Sequence, residues 1–171
     1  TLYGGTAKNP KPFFNAKEPK EYWPNCAFSS ADQTKLYVMI ATIKSTGESG
    51  TFGFQLVGNS VGVLSLPDLN LISVNDISRN TKIDWSSAAY EEGKYVYIYG
   101  AESTKYNKFA HVLRTSSSNP FKVVEYYNGT DWVKDPTQSV RLLGGVSEQY
   151  SLFKYQDKYY LLSQANLLGA D

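Results

Sequence analysis

Long apolar runs are missing from this sequence, and so are the residues that build most metal and nucleophile sites. No stretch approaches the roughly 18 consecutive apolar residues of a bilayer-spanning helix, so no membrane span is expected. Cys26 is the single cysteine, which excludes a disulfide framework and a thiolate metal cage. Inside an apolar run it reads as a small buried hydrophobe. His111 is the single histidine, which argues against a histidine metal site. It leaves a nucleophile–histidine pair open only through that one residue, and His111 reads first as an ordinary strand position. Neither Gly4-Gly5 nor Gly144-Gly145 has the spacing of a phosphate loop, and both read as turns. No metal and no cofactor is expected. Charge of one sign is also lacking: 17 Lys+Arg face 16 Asp+Glu without a basic cluster, which removes the usual reason to expect a nucleic-acid partner. Helical periodicity is sustained nowhere; the best window, Ile77 to Trp85, is short and polar. The chain opens at Thr1 and its one methionine is Met39, so any targeting segment is expected to have been removed already.

Aromatic residues fill the space these absences leave. There are 14 Tyr, 8 Phe and 3 Trp in 171 residues, a set that favours strands and places apolar rings beside polar tips. They recur in register. Trp23 precedes Phe28 by five residues, Trp85 precedes Tyr90 by five, and Glu148 precedes Phe153 by five. The spacings between these equivalents are 62 and 63 residues. A fixed long period of this kind is the mark of a repeat architecture. After each segment comes a turn (Ala31 to Thr34, Glu91 to Gly93, Gln156-Asp157) and then a strand rich in β-branched and aromatic residues. That is a hairpin signal. Strands are predicted near 24–29, 35–43, 84–90, 94–100, 148–154 and 158–163. Outer strands are predicted from Phe52 to Val57, Val61 to Leu66, Phe109 to Arg114 and Phe121 to Tyr127, with a turn at Asn128-Gly129-Thr130-Asp131. Asn128-Gly129-Thr130 also fits a glycosylation sequon, but the turn explains it fully.

Four strands per unit make the all-β content of a propeller blade. The units run over about 20–78, 79–140 and 141–171, two and a half blades in a single partial domain. A β-sandwich with accidental self-similarity would explain neither the equal spacing nor the repeated turn. Rings of this type close with about four to eight blades. The chain is therefore expected to be completed by remaining blades or by another copy of itself, because open blade faces are apolar.

Residues 83–100 and 147–163 resemble the inner strands of the five-bladed propeller glycosidases, the arabinanase and β-xylosidase group. In that group an Asp opens one inner strand, a Glu opens a later one, and a turn follows nine residues on. Here Asp84 stands nine residues before Gly93, and Glu148 nine before Asp157. The prolines that follow those acids in the group are replaced by Trp85 and by Gln149-Tyr150, and no third carboxylate stands at Tyr22 or Trp23. The segments from Trp23 to Leu69 and from Ala110 to Trp132 look more like bacterial domain-of-unknown-function propellers. That likeness implies an extracellular, periplasmic or cell-surface location.

The resemblance implies a carbohydrate-active protein, a glycoside hydrolase or a relative of one. Glu148 would be the general acid and Asp84 the carboxylate that orients substrate, since glycoside hydrolysis needs paired carboxylates. Burial among Tyr97, Tyr150 and Trp85 would suit Glu148 to that role. Trp23, Trp85, Tyr150 and Arg114 are the candidate substrate-binding residues. The plainer reading makes the two acids solvated rim carboxylates, the tryptophans packing anchors and Arg114 a strand end. A non-catalytic propeller that binds a glycan or a protein is the alternative function.

Overall fold

A computed structural model describes residues 4–48, 53–79 and 82–164, and in these the fold is all-β. A small hairpin, β1 (Gly4–Thr6) and β2 (Asn9–Lys11), comes first. Then follows an antiparallel meander of β3 (Lys20–Ser29), β4 (Lys35–Ser45), β5 (Phe54–Ser65) and β6 (Leu71–Arg79). A second meander contains β7 (Ile83–Glu92), β8 (Tyr95–Ser103), β9 (Lys108–Ser116), β10 (Val124–Tyr127) and β11 (Trp132–Val133). A 3-10 turn at Pro136–Gln138 leads to β12 (Leu143–Gly144), which pairs with the start of β9. The last element is a hairpin of β13 (Tyr150–Tyr155) and β14 (Lys158–Ser163). No α-helix is present among the described residues, and no helix there is long and apolar enough to cross a membrane.

The six inner strands stand where the sequence puts them. The outer strands of the first sheet do not. Val57 and Val61 lie on one continuous strand, β5, and the fourth strand is Leu71–Arg79; Phe52 lies outside the described residues. The run Gly58-Asn59-Ser60 reads as a break, yet each polar side chain has a partner, Ser60 within the sheet and Asn59 across to β7 of the second sheet. Ser60 pairs with Thr42 at 2.9 Å and Asn59 reaches Asp84, which removes the penalty of burying them. The weak helical window, Ile77 to Trp85, is the end of β6 and the start of β7. Phe121 falls before β10 with φ +65°, its N–H held by Thr115 Oγ1 at 2.8 Å.

Strand alternation decides which sheet faces which. Val96 and Ile98 of β8 point into a core shared with Phe28, Met39 and Val61 of the first sheet, together with Trp85, Leu113 and Tyr126. Tyr99 points the other way, towards Ala88, Ala110, Val146 and Tyr150, where Leu152 and Leu161 of the last hairpin also pack. The second sheet is thus covered on both faces. Phe14 packs where a Cβ on Gly62 would sit, so it lies against the first sheet. The outer face of the last hairpin carries exposed Phe153, Tyr155, Tyr160 and Leu162.

Gly100 shows how tightly β7 and β8 meet. A Cβ there would lie 2.7 Å from the Asp84 carbonyl oxygen and 2.9 Å from the Trp85 ring. The Gly100 carbonyl also accepts from the Tyr150 hydroxyl at 3.1 Å. Gly100→Ala should therefore destabilise the fold by about 1–3 kcal/mol, the scale of overpacking in a core, as a lowered urea midpoint.

Candidate functional site

β3 and β7 begin at the same end of their sheets, and the segment entering β13 meets them there. A cavity of about 520 Å³ opens at this place, within the range of ligand pockets. Trp23, Ile43, Phe54 and Leu56 form an apolar wall from the first sheet, while Asp84, Ser103 and Lys108 come from the second. Glu148 and Gln149 come from the segment entering the last hairpin. Trp23 is 41% exposed and meets Phe54 edge-on at 4.5 Å, so an apolar ring surface is open to a ligand.

Asp84 is half-buried, and burial is the main reason its carboxyl is pushed above the usual carboxylate range; the charge of Glu148 pushes in the same direction. Hydrogen bonds from Ser86 Oγ and Asn59 Nδ2, each 2.6 Å from Oδ1, oppose the shift without cancelling it. Those donors belong to a chain that joins all three parts of the fold. Gln149 Nε2 donates to Asn25 Oδ1 at 2.5 Å, and Asn25 Nδ2 donates to Ser86 Oγ at 2.7 Å. Ser78 Oγ donates to Asn59 Oδ1 at 3.1 Å. Glu148 sits differently: its side chain is 42% exposed, and Oε1 takes a hydrogen bond from Ser103 at 2.5 Å and an ion pair from Lys108 at 3.0 Å.

Of the residues singled out in the sequence, Asp84, Glu148 and Trp23 share this cavity. The other three lie elsewhere. Trp85 is 2% exposed inside the core between the first two sheets, edge-on to Tyr126 at 5.5 Å. Tyr150 is buried in the second core with its hydroxyl on Gly100. Arg114 pairs with Glu125 at 2.8 Å and lies over the rings of Tyr95 and Trp132, away from the cleft. Glu148 is likewise not enclosed by Tyr97, Tyr150 and Trp85; its partners are Ser103 and Lys108.

A difference between two bulges explains the misplaced tryptophan. On β3, Pro24 faces Ile40 and Ala27 faces Val38, which inserts one extra residue. On β7, Asp84 faces Ala101 and Ala88 faces Tyr99, which inserts two. Beyond the bulges Phe28 opposite Tyr37 matches Tyr90 opposite Tyr97. Before them the match slips by one, so Trp23 opposite Ala41 corresponds to Asp84 opposite Ala101. In a strand a one-residue slip exchanges the two faces. Asp84 takes the cleft and Trp85 takes the core. Asn25, Asn59, Ser86, Lys108 and Gln149 carry no sequence signal, because amides, hydroxyls and lysines are common at strand ends.

Among the described residues no group of three or more His, Cys, Asp or Glu is placed to hold a metal ion. No curated protein matches the chain. A family model does, over residues 1–171, and its description is a domain of unknown function, DUF5005; the chain belongs to that family.

Proposed function

We propose that the three sheets are successive blades of a β-propeller and that the cleft at their common end binds a carbohydrate. The observation that carries the ligand reading is the pairing, in one cavity, of the Trp23–Phe54 surface with the Asp84 and Glu148 carboxylates. A sugar offers an apolar face to rings and hydroxyls to carboxylates and amides, so it uses both walls at once. Recurrence supports the blade reading. The ring pair Phe28–Tyr37 stacks at 5.2 Å and 9°, and Phe153–Tyr160 repeats it at 5.3 Å and 10°. Neighbouring hairpins are tied in the same manner. Ser29 N–H donates to Glu91 at 3.2 Å, and Lys154 donates to Glu92 at 3.2 Å, each pair 62 residues apart.

A saturable change in tryptophan fluorescence on titration with oligosaccharides, weakened about tenfold or more by Trp23→Ala, is the expected result. That loss corresponds to about 1.4 kcal/mol. If no member of a broad panel of plant and microbial glycans binds, the carbohydrate reading is wrong.

Glycoside hydrolysis is the second reading, favoured by the raised carboxyl of Asp84 beside a second carboxylate. It reverses the roles the sequence suggests. Asp84, half-buried, has the setting of a proton donor, and Glu148, held by Ser103 and Lys108, faces it across the cleft. Turnover of aryl-glycosides or polysaccharides by the full chain tests it directly.

A further inference from the structure

A second cavity, of about 620 Å³, lies between β6, the second sheet and the 3-10 turn before β12. Its wall holds Ser139, His111 and Glu102 in hydrogen-bonded sequence. Ser139 Oγ is 3.0 Å from His111 Nδ1, and His111 Nε2 is 3.2 Å from Glu102 Oε2. Arg141 grips Glu102 with two bonds, Nε to Oε2 at 2.6 Å and Nη2 to Oε1 at 2.9 Å, and its guanidinium rests 4.0 Å from the centre of the Phe109 ring.

The chemistry fixes the protons. Chiefly through Arg141, the Glu102 carboxyl is held down to about 2, so it is a carboxylate and only accepts. His111 Nε2 must then carry the hydrogen it shares with Glu102, which leaves Nδ1 with a lone pair aimed at the Ser139 hydroxyl. Burial lowers the His111 pKa below its ordinary value, keeping the ring neutral at pH 7. A hydroxyl, a neutral imidazole that accepts from it and a carboxylate that orients the imidazole make up an activated nucleophile. Here the two ring nitrogens exchange the places they hold in serine proteases.

The fold holds this arrangement rather than leaving it to a mobile loop. Asp135 caps the 3-10 turn through Thr137 N at 2.9 Å, and Val140 N–H donates to the Tyr127 carbonyl at 3.1 Å. Leu142 N–H donates to the Ala110 carbonyl at 2.8 Å, which lays the segment along β9 beside His111. His111 is 3% exposed, so its second nitrogen is closed to water, while Ser139 is partly exposed at the cavity. Ile77, Ile83 and Tyr126 give the cavity an apolar lining, and Lys82 adds a positive charge at its wall.

We propose that Ser139, His111 and Glu102 form a nucleophile–base–carboxylate relay that hydrolyses a small carboxylic ester held in this second cavity. Ser139 Oγ bonds to the acyl carbon as its proton passes to His111 Nδ1. The acyl–alkoxy bond then breaks, and the departing alkoxide takes that proton as the alcohol. Water next attacks the acyl carbon, again giving its proton to Nδ1. Ser139 leaves with that proton restored, and the acid is released. Ser139 is the catalytic nucleophile and His111 the catalytic base; Glu102 and Arg141 are positioning residues. The inference stands on a cavity that shares Lys82 with the carbohydrate cleft but none of its own reacting groups, and it does not depend on that reading.

Diisopropyl fluorophosphate tests the nucleophile on the folded full chain, because serine attack on phosphorus expels fluoride and leaves a stable adduct. Peptide mass spectrometry should find the adduct on Ser139 and not on other serines, and His111→Gln should remove it. Hydrolysis of p-nitrophenyl acetate should fall roughly 100-fold or more in Ser139→Ala, within the scale of general-base and nucleophile losses. That variant removes one hydroxyl from a partly exposed position, so its melting temperature should stay close to that of the parent. An unlabelled Ser139 in folded protein, or equal ester hydrolysis by Ser139→Ala, overturns the assignment.

Discussion

Trp85→Ala should destabilise the chain by about 3–5 kcal/mol, the scale of removing a large aromatic from a core. At 2% exposure Trp85 is among the largest fully buried side chains, and it stands where the first and second sheets meet. Its ring lies edge-on to Tyr126 at 5.5 Å and to His111 at 6.2 Å. Truncation would remove those contacts and enlarge the neighbouring cavity, and both effects act in one direction. A domain typically holds about 5–15 kcal/mol of stability, so the variant would be marginal at 37 °C. Trp23→Ala is the control. Trp23 is 41% exposed on the cleft wall, and its loss should cost about 1 kcal/mol or less while affecting ligand binding instead. Urea unfolding followed by circular dichroism separates the two. Equal midpoints would mean that Trp85 is not the anchor between the sheets.

That contrast marks where sequence reading succeeds and where it stops. The inner hairpins are legible because three signals agree at each of them: alternating aromatic and β-branched residues, a turn, and a common period. Gly93 takes φ +60°, and Gln156 and Asp157 take +46° and +59°, the left-handed values that tight hairpin turns demand. Two contacts of that same 62-residue separation join neighbouring hairpins, Ser29 with Glu91 and Lys154 with Glu92. What the period could not carry was the width of a bulge. A second extra residue in β7 leaves the spacing of the rings intact but moves Asp84, and not Trp85, to the place of Trp23. Bulges leave little trace in composition, because the extra residue needs no special side chain. The outer strands of the first sheet are obscured in the sequence for a related reason. Gly58-Asn59-Ser60 reads as a loop until Thr42 and Asp84 are seen to satisfy it. His111 reads as an ordinary strand residue because its two partners come from other segments, Glu102 from β8 and Ser139 from the stretch after the 3-10 turn.

Asp84→Asn separates stability from chemistry at the cleft. The asparagine oxygen can take both hydrogen bonds that Oδ1 now accepts, from Asn59 and Ser86 at 2.6 Å, so the network linking the sheets survives. The charge is lost, and the second oxygen, an acceptor, becomes an NH2 donor. A carboxyl whose folded-state pKa lies above its unfolded value contributes stability while protonated, fully below the unfolded pKa, and loses it as pH rises through the folded one. Asp84 has that upward shift, from burial first and from Glu148 as well, so its ionised form is a burden on the fold at neutral pH. The substitution should therefore raise stability at pH 7 by about 0.5–2 kcal/mol, the usual gain when a functionally strained group is relieved. The advantage should shrink on acidification towards about pH 4, near the unfolded aspartate pKa, where the parent's Asp84 is also protonated. Thermal melts across that range read the difference. If Asp84 is also a proton donor to a glycosidic oxygen, the same substitution should lower turnover by about 10²–10⁴-fold with little change in ligand affinity. If the cleft only binds, the gain in stability remains, ligand affinity changes little, and there is no turnover to lose. A melting temperature that falls at pH 7 and recovers in acid would mean that the ionised carboxylate is stabilised by the cleft, and would remove Asp84 from the role of acid.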